Sequence, residues 1–158
     1  MSAVSDLVNG WPGGIIQAGR NGVFVSPIHL VNQLYSAHRG DVLLSSNVDS
    51  PVFNTSAEGS NIPSLDATVS RTADGKTIVI KAVNTNPKSS LVTTITFQGV
   101  TPTPRAELNT ITARSLTVAN SFSQPYAISI AKRSITTGRT FVVTLPKHSV
   151  SVIVLRIR

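Results

Sequence analysis

Two runs between Asp74 and Gly99, Thr77–Asn84 and Leu91–Phe97, constrain this chain more than any other feature. Both are dominated by Ile, Val and Thr, the residue types that suit a pleated surface, and both are bounded by Gly, Asn and Pro, where an extended chain stops or reverses. A strand repeats every two residues, so Ile78, Ile80 and Ala82 share one face and Val79, Lys81 and Val83 the other. With apolar side chains on both faces, the first run belongs in the middle of a β-sandwich. The Asp74-Gly75 turn before it predicts that Leu65–Arg71 is its antiparallel neighbour. The polar segment Thr85–Ser89 after it predicts a central hairpin with Leu91–Phe97.

The rest of the chain repeats this theme once one helix has been passed. Ser2–Val8 reads as one or two helical turns, ended by Asn9-Gly10-Trp11-Pro12-Gly13-Gly14. Ile15–Gln17 and Val23–Val25 are short extended segments around a Gly19–Gly22 turn. A helix is then predicted at about residues 26–39. Ser26 stands at the N-cap and Pro27 at N1, where a missing N–H costs nothing. Ile28, Val31, Leu34 and Tyr35 form its apolar stripe, widened by Leu30. His38 and Arg39 suit the negative end of the helix dipole, and Gly40 suits a left-handed C′ position. Beyond Gly40 the pattern is β. Strands are expected at 41–47, 65–71, 105–112, 116–118, 127–132, 140–145 and 150–157. The segment 49–63 is read as a long polar connection, and Thr101–Pro104 as punctuation. In the last strand Ile153, Leu155 and Ile157 face one way and Val150, Val152 and Val154 the other, so this strand too is internal. The fold class is therefore mainly β: an antiparallel β-sandwich of jelly-roll or Greek-key type with one N-terminal helix.

Composition narrows the chemistry. The 158 residues contain no Cys, which excludes disulfides and thiolate metal sites. Lys and Arg number 14 against seven acids. They are scattered from Arg20 to Arg158 with no run denser than Lys132-Arg133, which reads as a solvated basic surface and not a nucleic-acid interface. No apolar run approaches a membrane span and no signal peptide is visible, so the chain reads as soluble, with its compartment open. His29 and His38 lack the converging ligands that a metal site needs, and no metal or cofactor is expected. Asp6, Asp41, Asp49, Glu58, Asp66, Asp74 and Glu107 are the carboxylates, and their contexts mark out no acid/base pair. His148-Ser149 is a contiguous turn, and no Gly-x-Ser-x-Gly elbow surrounds any Ser. No catalytic residue is assigned. Among the aromatics, Trp11, Tyr35 and Tyr126 carry a polar handle suited to a sugar platform.

Several segments in order resemble the C-terminal end of an α-L-arabinofuranosidase of glycoside hydrolase family 51. Ser5–Asn9, then Val25–Ser36 with His38-Arg39-Gly40, resemble the last helix-strand-helix unit of that family's barrel. Ser50-Pro51 and Ile62–Ala67 resemble the entry to its C-terminal sandwich, Val79–Asn84 its central strand, and Leu145–Val152 the closing Leu-Pro-x-x-Ser-Val stretch. The resemblance divides the chain into residues 1–40, a remnant of the last barrel unit, and residues 41–158, the accessory sandwich.

In that family the acid/base and nucleophile glutamates stand on earlier barrel strands, and neither has a counterpart here. The family also brings a polar amide to the sugar near the end of its final barrel strand. Asn21 or Gln17 is the substrate-binding residue this implies; Trp11, an aromatic with a polar handle, is the third substrate-binding candidate. The reading that follows is a non-catalytic accessory sandwich that braces or assembles an arabinofuranosidase-like hydrolase. The alternative is an independent carbohydrate-binding or residual hydrolase protein acting on arabinose-containing plant polysaccharides. Expected partners are a missing catalytic barrel, such a polysaccharide, and a second copy that forms a homodimer through residues 1–40.

Overall fold

The computed structural model describes residue 8 and residues 14–57 and 59–157, as twelve strands and one helix. In chain order these are β1 (Ile16–Gly19), β2 (Gly22–Val25), α1 (Pro27–Ala37), β3 (Val42–Leu44), β4 (Val52–Thr55), β5 (Gly59–Pro63) and β6 (Leu65–Arg71). They continue with β7 (Thr77–Asn84), β8 (Leu91–Thr96), β9 (Pro102–Ile111), β10 (Ala131–Thr136), β11 (Thr140–Leu145) and β12 (Ser149–Ile157). The helical turns expected at Ser2–Val8, and Trp11, lie outside the described residues, Val8 excepted.

A six-stranded antiparallel sheet in the order β10-β9-β12-β7-β6-β3 forms the central layer. Period-two alternation gives it two apolar faces. On the inner face Ile78, Ile80, Ala82, Leu108, Ile153 and Leu155 pack against Phe97, Phe141, Val143 and Leu145, which belong to β8, β11 and their flanks. On the outer face Val79, Val152 and Ile111 pack against Leu30 and Leu34 of α1 and against Ile128. The molecule thus has three layers: the two-stranded sheet β11-β8, the six-stranded sheet, and the helix with the 112–130 connection. The sandwich with one helix is the architecture expected from the sequence.

β6 pairs antiparallel with β7 around the Asp74-Gly75 turn, as expected. Gly75 takes a positive φ of 74°, and the Asp74 carboxylate accepts from Thr72 Oγ1 (2.6 Å) and Lys76 N (3.0 Å). The hairpin expected between Thr77–Asn84 and Leu91–Phe97 does not form. β7 pairs with β6 and β12, whereas among the described residues β8 pairs only with β11 in the opposite sheet. Residues 85–90 therefore cross from one layer to the other. Buried Asn84 anchors that crossing, its Nδ2 donating to the carbonyls of Ser89, Leu145 and Pro146.

Other boundaries shift for local reasons. The helix ends at Ala37, with Ser26 extended at the N-cap, but its hydroxyl is buried without a partner among the described residues instead of capping an N–H. Gly40 is not left-handed. A Cβ there would lie 2.2 Å from Ser70 Oγ, so glycine is required by the close passage of β6. The 41–47 strand shortens to β3, and the 49–63 connection contains the hairpin β4-β5. Pro102 and Pro104 do not interrupt β9. Pro102 is its first residue and Pro104 sits where the register with β12 shifts, a place that asks for no N–H donor. Residues 116–118 form a turn and no strand, and the strand expected at 127–132 begins only at Ala131.

Candidate functional site

The β1-β2 hairpin carries the two described residues expected to meet a sugar. Gln17 lies in mid-strand opposite Phe24, half-buried, and its Nε2 donates to Gly14 O at 3.0 Å. Asn21 is at the exposed tip. The two amides therefore stand at different levels of one hairpin. The outer side of that hairpin is tied to the rest of the domain by Phe24, which meets Phe122 edge-to-face at 4.9 Å, and by Asn120, whose Nδ2 donates to Val25 O.

Asp41, Asp74 and Glu107 serve turns and a surface pair. Asp41 accepts from Ala73 N at 2.7 Å and closes the β6-β7 turn from the side. Glu107, in the middle of β9, pairs with Lys132 on neighbouring β10 and accepts from Asn109 Nδ2 at 2.9 Å. Those two hydrogen bonds, the lysine's first, hold its carboxyl below the usual glutamate range. Tyr35 lies beneath the Lys81 ammonium, 4.5 Å from the ring centroid. Burial, then the Asp66 charge, pushes its phenol up, while burial and the Arg39 charge bring Lys81 down. Tyr35 is thus engaged in packing, whereas Tyr126 is 83% exposed on the loop before β10.

A feature that sequence reasoning missed lies between the sheets. Two strands cannot cover the inner face of six, and a cleft of about 660 Å³ opens between β8 and the β6-β3 side. Inner-face side chains of β6, β7 and β12, among them Ala67, Val69, Ile80 and Ile153, line it together with Phe97, β8 and residues 45–49. Arg71 lines it too, and its buried Nε has no hydrogen-bond partner among the described residues. A smaller apolar groove of about 360 Å³ runs on the outer face between Ile28 and Val31 of α1 and Leu116, Val118 and Val150.

With this architecture in hand, comparison with known proteins is decisive. Residues 1–149 match the α-L-arabinofuranosidase C-terminal domain. The chain belongs to that family. No curated protein matches it. The α-L-arabinofuranosidase of Thermotoga maritima, solved as an arabinose complex, superposes with a TM-score of 0.85 at 27% identity, covering 96% of this chain and 33% of that one. The family 51 enzyme of Thermotoga petrophila gives 0.83 at 27% identity, over 94% and 32%. The Xanthomonas axonopodis pv. citri enzyme, at 20% identity and a TM-score of 0.81, shares the fold. This arabinofuranosidase C-terminal domain therefore spans about a third of the length of those relatives. Among its described residues, no helix is long and apolar enough to cross a membrane.

Proposed function

We propose that this domain is a non-catalytic accessory sandwich of an arabinofuranosidase-like glycoside hydrolase, which braces the catalytic part of the assembly. The observation that carries the reading is the match of residues 1–149 to the C-terminal domain, combined with coverage of only a third of each full relative. The commitment of Asp41, Asp74 and Glu107 to turns and a surface ion pair supports it. In this reading residues 1–40 correspond to the last barrel unit and residues 41–158 to the sandwich proper. The outer-face groove beside Ile28, itself 58% exposed, is the surface offered to a barrel. The test is hydrolysis of a chromogenic arabinofuranoside by the domain alone, with no turnover expected. Turnover abolished by Glu107→Ala or Glu58→Ala would overturn the reading.

The exposed ring of Tyr126 favours a second reading, a module that binds arabinose-containing polysaccharide with help from Asn21 and Gln17. Affinity electrophoresis in arabinan gels separates the two. Retardation lost in Tyr126→Ala would establish binding; migration unchanged by arabinan would remove it. The homodimer through residues 1–40 has a narrower basis than the bare stripe suggested. Leu30 and Leu34 are buried on this chain's own sheet, which leaves Val23 and Ile28 as the exposed apolar residues of the β1-β2-α1 segment.

A further inference from the structure

The asparagines of this domain stand in unlike surroundings. Asn84 and Asn120 are buried, and their amides are held by backbone carbonyls: those of Ser89, Leu145 and Pro146 for the first, those of Val25 and Ile128 for the second. Asn21, Asn47, Asn54 and Asn61 are the exposed ones among the described residues. Three of these precede a β-branched residue, namely Val48, Thr55 and Ile62, whereas Asn21 precedes Gly22. The β1-β2 pairing runs up to Gly19 opposite Gly22, which leaves Arg20 and Asn21 as the loop at the hairpin tip. Gly22 has a φ of 121°, and a Cβ built on it would meet nothing within 4 Å. The backbone nitrogen that follows the Asn21 side chain is therefore uncrowded, and water reaches both residues.

We propose that Asn21-Gly22 is a self-modifying site, at which the hairpin tip converts without an enzyme to aspartate and isoaspartate. The Gly22 backbone nitrogen attacks Cγ of Asn21, and a new C–N bond closes a cyclic imide. The proton from that nitrogen passes to Nδ2, the Cγ–Nδ2 bond breaks, and ammonia leaves. Water then opens the imide at either carbonyl. Opening at Cγ gives aspartate in the ordinary backbone; opening at the main-chain carbonyl routes the backbone through the side chain and gives isoaspartate. Water is the one co-reactant, and nothing is oxidised or reduced. The other asparagines lack the conditions. A branched successor crowds the attacking nitrogen at Asn47, Asn54 and Asn61. Asn86 is followed by Pro87, which has no N–H to lose. Asn32 lies inside α1, where the helical backbone is fixed by its own hydrogen bonds. Either product puts a carboxylate beside Arg20 and takes one unit from the formal charge of +7. Isoaspartate also lengthens the backbone just before Gly22, where pairing with Gly19 begins. The tip thus ages from a neutral amide to an anion, by local chemistry that depends on neither the accessory role nor sugar binding.

The test is a time course of the intact domain at mildly alkaline pH, followed by proteolysis and tandem mass spectrometry. Fragment ions place each conversion in the sequence and tell isoaspartate from aspartate. Asn21 is expected to convert about tenfold or more faster than Asn32, Asn47, Asn54 or Asn61, a barrier lower by about 1.4 kcal/mol or more. Both products should form, and the rate should rise with pH, because the attacking nitrogen must lose its proton. Gly22→Ala crowds that nitrogen and should slow the conversion by a similar factor. Alanine is strained at this φ, so circular dichroism first establishes that the variant folds. Conversion of Asn47, Asn54 or Asn61 ahead of Asn21 would overturn the proposal. Aspartate at position 21 with no isoaspartate would do so too, since direct hydrolysis bypasses the imide. An unchanged rate in folded Gly22→Ala would have the same force, and if that variant does not fold, the time course of the unaltered domain decides alone. Hydrolysis of an arabinofuranoside by the domain, or its binding to arabinan, would leave this test standing.

Discussion

β7 and β8 follow one another in the chain, are built from the same residue types, and live in different physical surroundings. β7 lies between β6 and β12 with apolar partners on both faces: Ile78, Ile80 and Ala82 inside, Val79 outside beneath the helix layer. Among the described residues β8 has one strand neighbour, and its burial alternates strictly, with Val92 76% exposed. The difference teaches that an apolar strand is defined by how many of its faces and edges are claimed. The central sheet is claimed on both faces, while the two-stranded sheet has an open edge and an open outer face.

The sharpest test of this contrast is a carboxylate placed in each strand. Ile80 is 4% exposed in the inner core, and Ile80→Asp places an unpaired charge among apolar side chains. The cost is on the order of 5 kcal/mol, comparable to the whole margin of a small domain, and the variant is expected not to fold. Val92→Asp, on the open face of β8, is expected to cost about 1 kcal/mol or less, mainly through strand propensity. Circular dichroism melts of the two variants check this. A cooperatively melting Ile80→Asp protein, or an unfolded Val92→Asp protein, would break the comparison.

The same contrast marks what was legible in the sequence. The two-faced character of β7 and β12 is written in consecutive apolar residues, so their interior position, the antiparallel β6-β7 pairing and the sandwich class were readable. The partner of β8 was not. A six-residue polar connection, 85–90, serves a hairpin or a crossing between sheets equally well. A discriminating signal was nevertheless present. A strand beside β7 in the same sheet would need two apolar faces, and Leu91–Thr96 offers only one, with Val92, Thr94 and Thr96 exposed. Gly40 shows a second limit, since glycine needed for a close approach and glycine needed for a positive φ look alike in a sequence. The candidate site was the least legible part. Gln17 and Asn21 were chosen by resemblance. The cleft at Ala67 and Arg71 arises from the mismatch between a six-stranded and a two-stranded layer, which no local pattern encodes.

The outer face sharpens the comparison at intermediate scale. If the helix is a true third layer, its two apolar rows should differ. Leu34 is 2% exposed against Val79 and Val152, and Leu34→Ala should cost about 2–5 kcal/mol through lost burial and the cavity left behind. Ile28 is 58% exposed, and Ile28→Ala should stay within about 0.5 kcal/mol for the domain alone. Urea titrations resolve the two. Equal losses would show that the helix is held by something other than the row on the sheet.

The smallest effect tests whether the β9-β10 margin of the central sheet gains from its surface charges. Glu107 has its carboxyl held below the ordinary value of 4.5, first by the Lys132 hydrogen bond and then by Asn109, against a smaller opposing effect of burial. A depressed native value means that the unfolded chain takes up the proton first. The pair's contribution is therefore fully present above the ordinary glutamate range and disappears as pH falls through the lowered native value. Lys132 is 65% exposed, so solvent screening keeps the contribution at about 1 kcal/mol or less. Lys132→Ala and Glu107→Gln should each lower the melting temperature slightly at neutral pH and in low salt. The difference from the unaltered domain should vanish once Glu107 is protonated in the folded state, and should shrink as salt rises. A loss that instead persisted unchanged into acid would mean that Lys132 stabilises the margin through its aliphatic stem and not through the carboxylate, which would make β10 more like the buried strands than its exposure suggests.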